Sequence, residues 1–125
     1  MEDTNQISVN KLKVHWNPFT ENPWLYIGTP ITRTEVRREI QKGRLNAEPG
    51  GIKRIDHIRR VAYLVVNGWS DPIEVDFGCP TIAPSSTHLE VSDGNHRLAA
   101  AIYRKDPTIL TSAAGEVDFI EEFED

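Results

Sequence analysis

Apolar side chains repeat at helical spacing in the middle of the chain and at strand spacing just after it. Over residues 52–65 they recur every three or four positions, which predicts a buried helix from about 53 to 66. Asn67-Gly68 follows and is typical of a helix end. Residues 73–77 alternate apolar and acidic side chains, which predicts a half-buried strand.

Two further helices are indicated by the residues at their ends. Thr32 followed three residues later by Glu35 is a capping-box pattern, and the helix that it begins is predicted to end near Gly43. Residues 98–104 are rich in good helix formers, and Asp106-Pro107 is predicted to end that segment.

The remaining apolar runs are short and predict strands. Residues 8–15 and 108–112 are each predicted as a short strand, and residues 88–92 are predicted to pair with 73–77 as a hairpin. Residues 116–123 fit either a last strand or a short amphipathic segment.

These elements predict a small α+β fold with a mixed β-sheet and about three helices. At 125 residues the chain has the length of one domain, and we expect a single domain over residues 1–125. The polar residues 1–7 and the acidic residues 121–125 are expected to be flexible ends.

Composition narrows the class of protein. The net charge of −5 argues against strong non-specific binding to nucleic acid. No apolar run approaches the roughly 20 residues that a membrane span requires, and the acidic start Met1-Glu2-Asp3 is unlike a secretory signal. A single cysteine, Cys79, excludes an intramolecular disulfide. We therefore expect a cytoplasmic protein that does not bind a membrane.

Charge is distributed unevenly along the chain. Most of the Lys and Arg residues lie within residues 33–60, whereas residues 116–125 carry only acidic charges. This distribution fits a local anion-binding surface with a repelling tail, and it fits equally well a solvated helix face with a soluble end.

The strongest chemical signal is the segment from Asp93 to Arg97, which joins a predicted strand to a predicted helix. Gly94 permits a tight turn and a close approach of the backbone to a ligand. The residues after it begin the helix, where unpaired N–H groups and the helix dipole favour anions. Arg97 adds a planar guanidinium, and His96 adds a ring that can donate or exchange a proton. The segment predicts a phosphate site, and the alternative is an ordinary turn with solvated side chains.

The motif and its neighbours supply the candidate site residues. The candidate phosphate-binding residues are Gly94, Asn95, His96 and Arg97. The candidate catalytic residues are His96 and Asp93, and Asp93 is also the candidate Mg²⁺ ligand, with Glu90 or Asp76 as second choices. The candidate secondary anion contacts, on the polar side of the helix predicted over 53–66, are His57, Arg59 and Arg60. For His57 itself we expect a position at the surface, and the contact to a bound anion is the alternative.

An aromatic cluster precedes the first helix-cap signal. Its members flank the turns Asn17-Pro18 and Asn22-Pro23 and are Trp16, Phe19, Trp24, Tyr26 and the aliphatic Ile27. We expect them to pack as core or as a lid, and base stacking is the alternative.

The order of these features resembles the ParB/sulfiredoxin superfamily. An Asn-Pro element (residues 22–23), a helix ending in glycine before Pro-Ile-x-Val (residues 72–75) and a strand leading into Gly-x-His-Arg-x-x-Ala (residues 94–100) follow in that order. The Asp-Gly-x-His-Arg spelling also resembles the DGQHR domains of DNA-modification regulators. The likeness covers about residues 8–120.

The resemblance implies a nucleotide-phosphate pocket contacted by Gly94, His96 and Arg97. Relatives include CTP-binding partition proteins, ATP-using sulfinic acid reductases, ADP-dependent serine kinases and proteins described as nucleases. Asn95 stands where sulfiredoxins carry a reactive cysteine, so sulfinic acid reduction is not expected. Trp24 stands where partition proteins carry an arginine, which removes one phosphate ligand.

Three functions are compatible with the sequence. The first is binding of a nucleotide, ATP or CTP with Mg²⁺, with hydrolysis or phosphoryl transfer as the reaction. The second is a DNA nuclease in which Arg97 and the basic surface of residues 33–60 bind the DNA backbone and His96 acts as acid or base. The third is a non-catalytic phage or plasmid accessory or anti-defence protein that binds a host protein.

Overall fold

The computed structural model describes residues 4–81 and 89–124. In chain order the elements are β1 (Asn5–Ser8), α1 (Val9–His15), α2 (Arg33–Lys42), α3 (Arg54–Asn67), β2 (Ile73–Asp76), β3 (Glu90–Asp93), α4 (Asn95–Arg104), β4 (Thr108–Ala114) and α5 (Val117–Glu121). The α+β fold class is confirmed, and the described residues contain five helices where about three were expected. None of the helices in these two ranges is long and apolar enough to cross a membrane.

One mixed four-stranded sheet has the order β1-β4-β2-β3. β4 pairs antiparallel with β1 and parallel with β2, whereas β2 and β3 form an antiparallel hairpin in which Val75 lies opposite Val91. This hairpin confirms the predicted pairing of residues 73–77 with the strand before Asp93. Most of the connecting loop, residues 82–88, lies outside the described residues.

α4 is the central helix, and it is buried on nearly every side. Leu98, Ala101 and Ile102 pack in the apolar core beneath the sheet, while Ala99 and Ala100 pack in a second core against α3. All five side chains are at most 3% exposed. Because alanines are small, α3 approaches α4 closely and holds the start of α4 in a fixed place.

The helices predicted from caps and periodicity are confirmed. The Thr32 side chain accepts a hydrogen bond from the Glu35 amide, and the Glu35 carboxylate accepts one from the Thr32 amide, both at 3.2 Å. α2 ends at Gly43, which has φ 67° in the left-handed region. α3 covers nearly the predicted range and is followed by Gly68 at φ 75°.

The prediction of a strand over residues 8–15 is wrong. Ser8 caps α1 through a 3.2 Å hydrogen bond from the Lys11 amide to its hydroxyl, and Val9 and Leu12 are buried one helical turn apart. The strand lies earlier, at β1, where Ile7 is fully buried against β4. Within the expected flexible end at residues 1–7, residues 5–7 are therefore part of the sheet.

The open choice at residues 116–123 is decided in favour of a short helix, α5. Ile120 and Phe123 are buried in the core beneath the sheet. The Ser8 amide donates a 2.7 Å hydrogen bond to the Phe123 carbonyl, which ties this segment to β1. Within the end expected to be flexible, residues 121–125, Phe123 is thus buried in the core, whereas Glu121 and Glu122 are exposed.

Candidate functional site

A cleft of about 310 Å³ opens at the start of α4. Its polar lining comprises Arg60, Asp71, Asp93, Gly94, His96 and Arg97. Its apolar lining comprises Pro49, Leu64 and Trp69. We refer to this site as the α4 cleft. It brings four members of the predicted motif together with two residues of α3, with the loop before α3 and with the turn before β2.

Gly94 shapes the start of the helix. Its φ of 95° is a conformation that other residues rarely adopt, and an added Cβ would lie 2.5 Å from Cγ2 of Ile73. Its carbonyl accepts the first helical hydrogen bond, from the Leu98 amide at 2.9 Å. Within the described part of the chain, the backbone amides of residues 95–97 donate no hydrogen bond. Such amides at a helix start are suited to an anion.

The Asn95 side chain is occupied by the fold. Its Oδ1 accepts a 2.7 Å hydrogen bond from the Trp16 indole, and its Nδ2 donates to the Val91 carbonyl at 3.1 Å. Both ends of the amide thus hold α4 against β3 and the segment after α1. What Asn95 can offer a ligand is its backbone N–H.

Arg97 holds two walls of the cleft together. Its guanidinium donates to the carbonyls of Asp71 and Pro72 at 3.1 and 2.9 Å and to the Asp93 carboxylate at 3.2 Å. The Arg97 side chain is 17% exposed, whereas that of Asp93 is 62% exposed. The guanidinium is therefore fixed in orientation, and its charge is only partly offset by a carboxylate that is largely in water.

His96 is hydrogen-bonded to His57. The distance from His57 Nδ1 to His96 Nε2 is 2.9 Å, and the two rings are inclined by only 11° with centroids 5.1 Å apart. The Trp24 indole stacks on both rings, at 5.0 Å from His57 and 4.6 Å from His96. His57 is 7% exposed, so a position at the surface is wrong for this residue.

Both imidazoles are held in the neutral form. Burial lowers the pKa of His96 to about 3, with help from His57 and from the positive charges of Arg60 and Arg97. Burial also lowers the pKa of His57, against a smaller opposing effect of Asp56. At neutral pH each ring therefore carries one proton, and one ring donates its proton to the other.

The two arginines proposed as secondary contacts lie in different places. Arg60 lines the cleft, donates to the Asn46 and Ala47 carbonyls at 3.2 and 2.7 Å, and lies 5.4 Å above the Tyr63 ring. Arg59 is bonded to the buried Glu39 of α2 at 2.8 Å.

The acidic residues separate into two groups. Asp71 lines the cleft together with Asp93, although sequence reasoning did not single it out. Glu90 and Asp76 lie opposite each other in the hairpin, three residues from Asp93 along β3. In residues 4–81 and 89–124, no group of three or more His, Cys, Asp or Glu side chains has the arrangement of a metal site.

Four residues of the cleft lining were not proposed as site residues from the sequence, namely Pro49, Leu64, Trp69 and Asp71. Two of them belong to the predicted turn over residues 69–72, directly before the Pro-Ile-x-Val strand. That position in the sequence is the signal that could have indicated them as cleft residues.

Comparison with protein-family models, with curated proteins and with solved structures gives no match to this chain.

Proposed function

We propose that the chain binds the phosphate chain of a nucleoside triphosphate, ATP or CTP, in the α4 cleft. The observation that carries the proposal is that Arg60, His96 and Arg97 line one cleft with the first turn of α4. A helix start, two guanidiniums and a ring N–H are complementary to phosphate oxygens. A cleft of about 310 Å³ is at the small end of ligand pockets, so the phosphates and ribose fill it and the base lies at the rim.

The two arginines are held in place before any ligand enters. Arg60 donates to two backbone carbonyls and Arg97 to two others, and these neutral acceptors fix the guanidiniums. Arg97 also donates to the Asp93 carboxylate, which is largely in water and offsets only part of its charge. Preorganised charge of this kind stabilises phosphate without a cost of reorganisation. The predicted phosphate role of Arg97 and the predicted secondary anion contact of Arg60 are both supported by these positions.

Asp93 and Asp71 fit the second part of the proposal, a Mg²⁺ ion that accompanies the nucleotide. Mg²⁺ usually retains several waters and binds through one or two carboxylates together with the phosphates of the substrate. Both carboxylates border the same cleft as Arg60 and Arg97. When bound, the ion would offset phosphate charge during hydrolysis or phosphoryl transfer.

The same site supports the proposal that the chain belongs to the ParB/sulfiredoxin superfamily. The strand β3, Gly94 and helix α4 follow one another as the resemblance implies, and the cleft lies at that junction. Of the candidate secondary contacts, Arg60 on α3 lines the same cleft as Gly94, His96 and Arg97, so we include it in the proposed phosphate site.

Thermal unfolding with ATP, CTP and ADP, with and without Mg²⁺, tests the proposal. At least one triphosphate should raise the Tm, because a ligand at about 100 times its Kd adds roughly 2.7 kcal/mol to the stability. Arg60→Gln should reduce this shift strongly. Arg38→Gln, which removes the same charge from an exposed position of α2, is the matched control and should keep the shift.

The proposal is rejected if no nucleotide changes the Tm of the unaltered chain. It is also rejected if Arg38→Gln reduces the shift as much as Arg60→Gln, because the binding would then depend on overall charge and not on the cleft.

A DNA nuclease is the second candidate, and the observation that favours it is the neutral imidazole of His96 beside the cleft. A neutral imidazole can orient an attacking water by accepting a hydrogen bond from it, but with a pKa of about 3 the His96 ring is a weak base at neutral pH. The basic segment is less available than the sequence suggested, because Arg44 and Arg59 are bonded to Glu39 and Arg54 is bonded to Glu35. Incubation of supercoiled plasmid with the protein and Mg²⁺ or Mn²⁺ tests this candidate: nicking that His96→Gln abolishes supports it, and intact plasmid excludes it.

A further inference from the structure

His57 and His96 are joined edge to edge and form one planar unit. A nitrogen-to-nitrogen distance of 2.9 Å, an inclination of 11° and a centroid separation of 5.1 Å together require that the rings lie side by side and nearly in one plane. The Trp24 indole covers one face of both rings. We call this unit the histidine pair.

The histidine pair has room for one further proton. In the neutral pair one proton lies between the two rings, and only one of the two outer nitrogens, His57 Nε2 and His96 Nδ1, carries the other. Adding one proton fills both outer nitrogens and leaves the central hydrogen bond in place, now strengthened by charge. A second added proton would place two positive rings in contact, which is unfavourable.

We propose that the histidine pair takes up one proton from solvent when an oxyanion enters the α4 cleft. This inference rests on the proposed phosphate site and deepens it. The proton forms one new N–H bond on an outer nitrogen, and no bond of the protein is broken. His57 is then a positioning residue, because it acts on the anion through His96.

The charges around the pair explain why the proton arrives only with the anion. Arg60 on α3 and Arg97 on α4 oppose a positive ring in the empty cleft. An oxyanion between these guanidiniums offsets their charge and adds an attractive charge of its own. The Trp24 indole face also favours a cationic ring stacked on it.

Other titratable groups border the histidine pair, and the test must distinguish their protonation from that of the pair. Asp56 lies on α3 beside His57, and the Tyr26 ring lies 5.6 Å from the His57 ring. Asp71 and Asp93 line the same cleft as His96. A protonated Asp93 would also favour an anion, so the test must report on the imidazole nitrogens themselves.

Sulfate is the probe, because it does not titrate between about pH 5.5 and 8, where an ordinary histidine does. ¹⁵N NMR of the histidine rings, with and without saturating sulfate, should show one proton added to the pair in the complex and none in the free protein. The affinity for sulfate should rise as the pH falls, by up to about tenfold per unit, which is the limit for one linked proton. Calorimetry in two buffers of different ionisation enthalpy should count an uptake that approaches about one proton per sulfate.

Three variants test whether the pH dependence of sulfate binding arises from the histidine pair. His57→Gln keeps a side chain that can hydrogen-bond to His96 but cannot share the proton, so it should bind sulfate at pH 8 and lose most of the pH dependence. Asp93→Asn should retain the pH dependence. His15→Gln, at an exposed position of α1, is the histidine control and should behave as the unaltered chain.

Failure of the inference and failure of the proposed function are distinguishable. If sulfate shifts the amide resonances of Gly94 and Arg97 while the ring nitrogens stay neutral, or if His57→Gln keeps the full pH dependence, the inference is wrong and the anion site stands. If neither sulfate nor a nucleotide shifts those resonances, both are wrong. The NMR readout on the unaltered chain decides this even if a variant does not fold.

Discussion

Asn95 and Gly94 are adjacent in the motif, and the fold requires each for a different reason: Asn95 for its side chain and Gly94 for the absence of one. Asn95 uses both ends of its amide to tie α4 to Trp16 and Val91. Gly94 contributes by having no side chain, because a Cβ there would collide with Ile73. Packing therefore explains the side-chain positions of Gly94 and Asn95. The backbone amides of residues 95–97, which donate no hydrogen bond within the described part of the chain, are the groups that the proposed ligand would contact.

Gly94→Ala should destabilise the protein by about 2–4 kcal/mol, since it combines overpacking against Ile73 with a left-handed backbone. Gly43→Ala is the matched control: Gly43 has φ 67° but no atom within 4 Å of the added Cβ, so only the backbone cost of about 1 kcal/mol applies. Urea unfolding of both variants measures the difference. Equal losses would show that contact with Ile73 does not matter.

Helices α2 and α3 are joined by a buried carboxylate. Glu39 is 3% exposed and accepts hydrogen bonds from Arg59 at 2.8 Å and Arg44 at 2.9 Å. The hydrogen bond from Arg59, followed by that from Arg44, holds the pKa of Glu39 below its usual range against the effect of burial. This explains the position of Arg59, whose charge serves helix packing, while its neighbour Arg60 lines the cleft.

Glu39→Gln should lower the free energy of unfolding at pH 7 by about 2–3 kcal/mol, because two arginines lose their charged partner. Since the pKa of Glu39 is lowered by folding, its contribution is present above the ordinary glutamate pKa and disappears as the pH falls through the lowered value. The difference between the variant and the unaltered chain should therefore shrink on acidification. Urea unfolding at pH 7 and about pH 3 tests this, with the exposed Glu48→Gln as control. A difference that is independent of pH would contradict the assignment.

At the scale of the whole molecule, the two ends of the chain meet at the edge of the sheet. The Asn5 side chain donates to the Glu124 carboxylate at 2.8 Å, and the Ser8 amide donates to the Phe123 carbonyl at 2.7 Å. Phe123 is 3% exposed and packs on Phe77 and Phe119 in the core beneath the sheet. The acidic end is therefore part of the domain up to this residue.

Phe123→Ala should cost about 3–5 kcal/mol, the usual loss for removing a buried aromatic ring. Glu122→Ala, at the exposed neighbouring position, should change the stability by less than about 0.5 kcal/mol. Thermal or urea unfolding measures both. A small loss for Phe123→Ala would mean that the last residues are loosely held, as the sequence suggested.

The sequence by itself determined α2, α3, α4 and the β2–β3 hairpin, because caps, helix-ending glycines and the period of apolar positions are local properties. It also located Gly94, His96 and Arg97, since a strand, a glycine and a helix in succession imply a turn with open amides. The tertiary structure alone decided the order of the strands, the helix at Val9–His15 and the burial of His57.

The physical reason is that periodicity tells which face of an element is buried but not which element covers it. Arg59 and Arg60 lie about 100° apart on α3, and nothing local distinguishes the one that meets Glu39 from the one that lines the cleft. The meeting of His57 with His96 likewise depends on how α3 packs against α4, where Ala62, Ala99 and Ala100 share one buried cluster, and periodicity alone does not show that these two helices face each other.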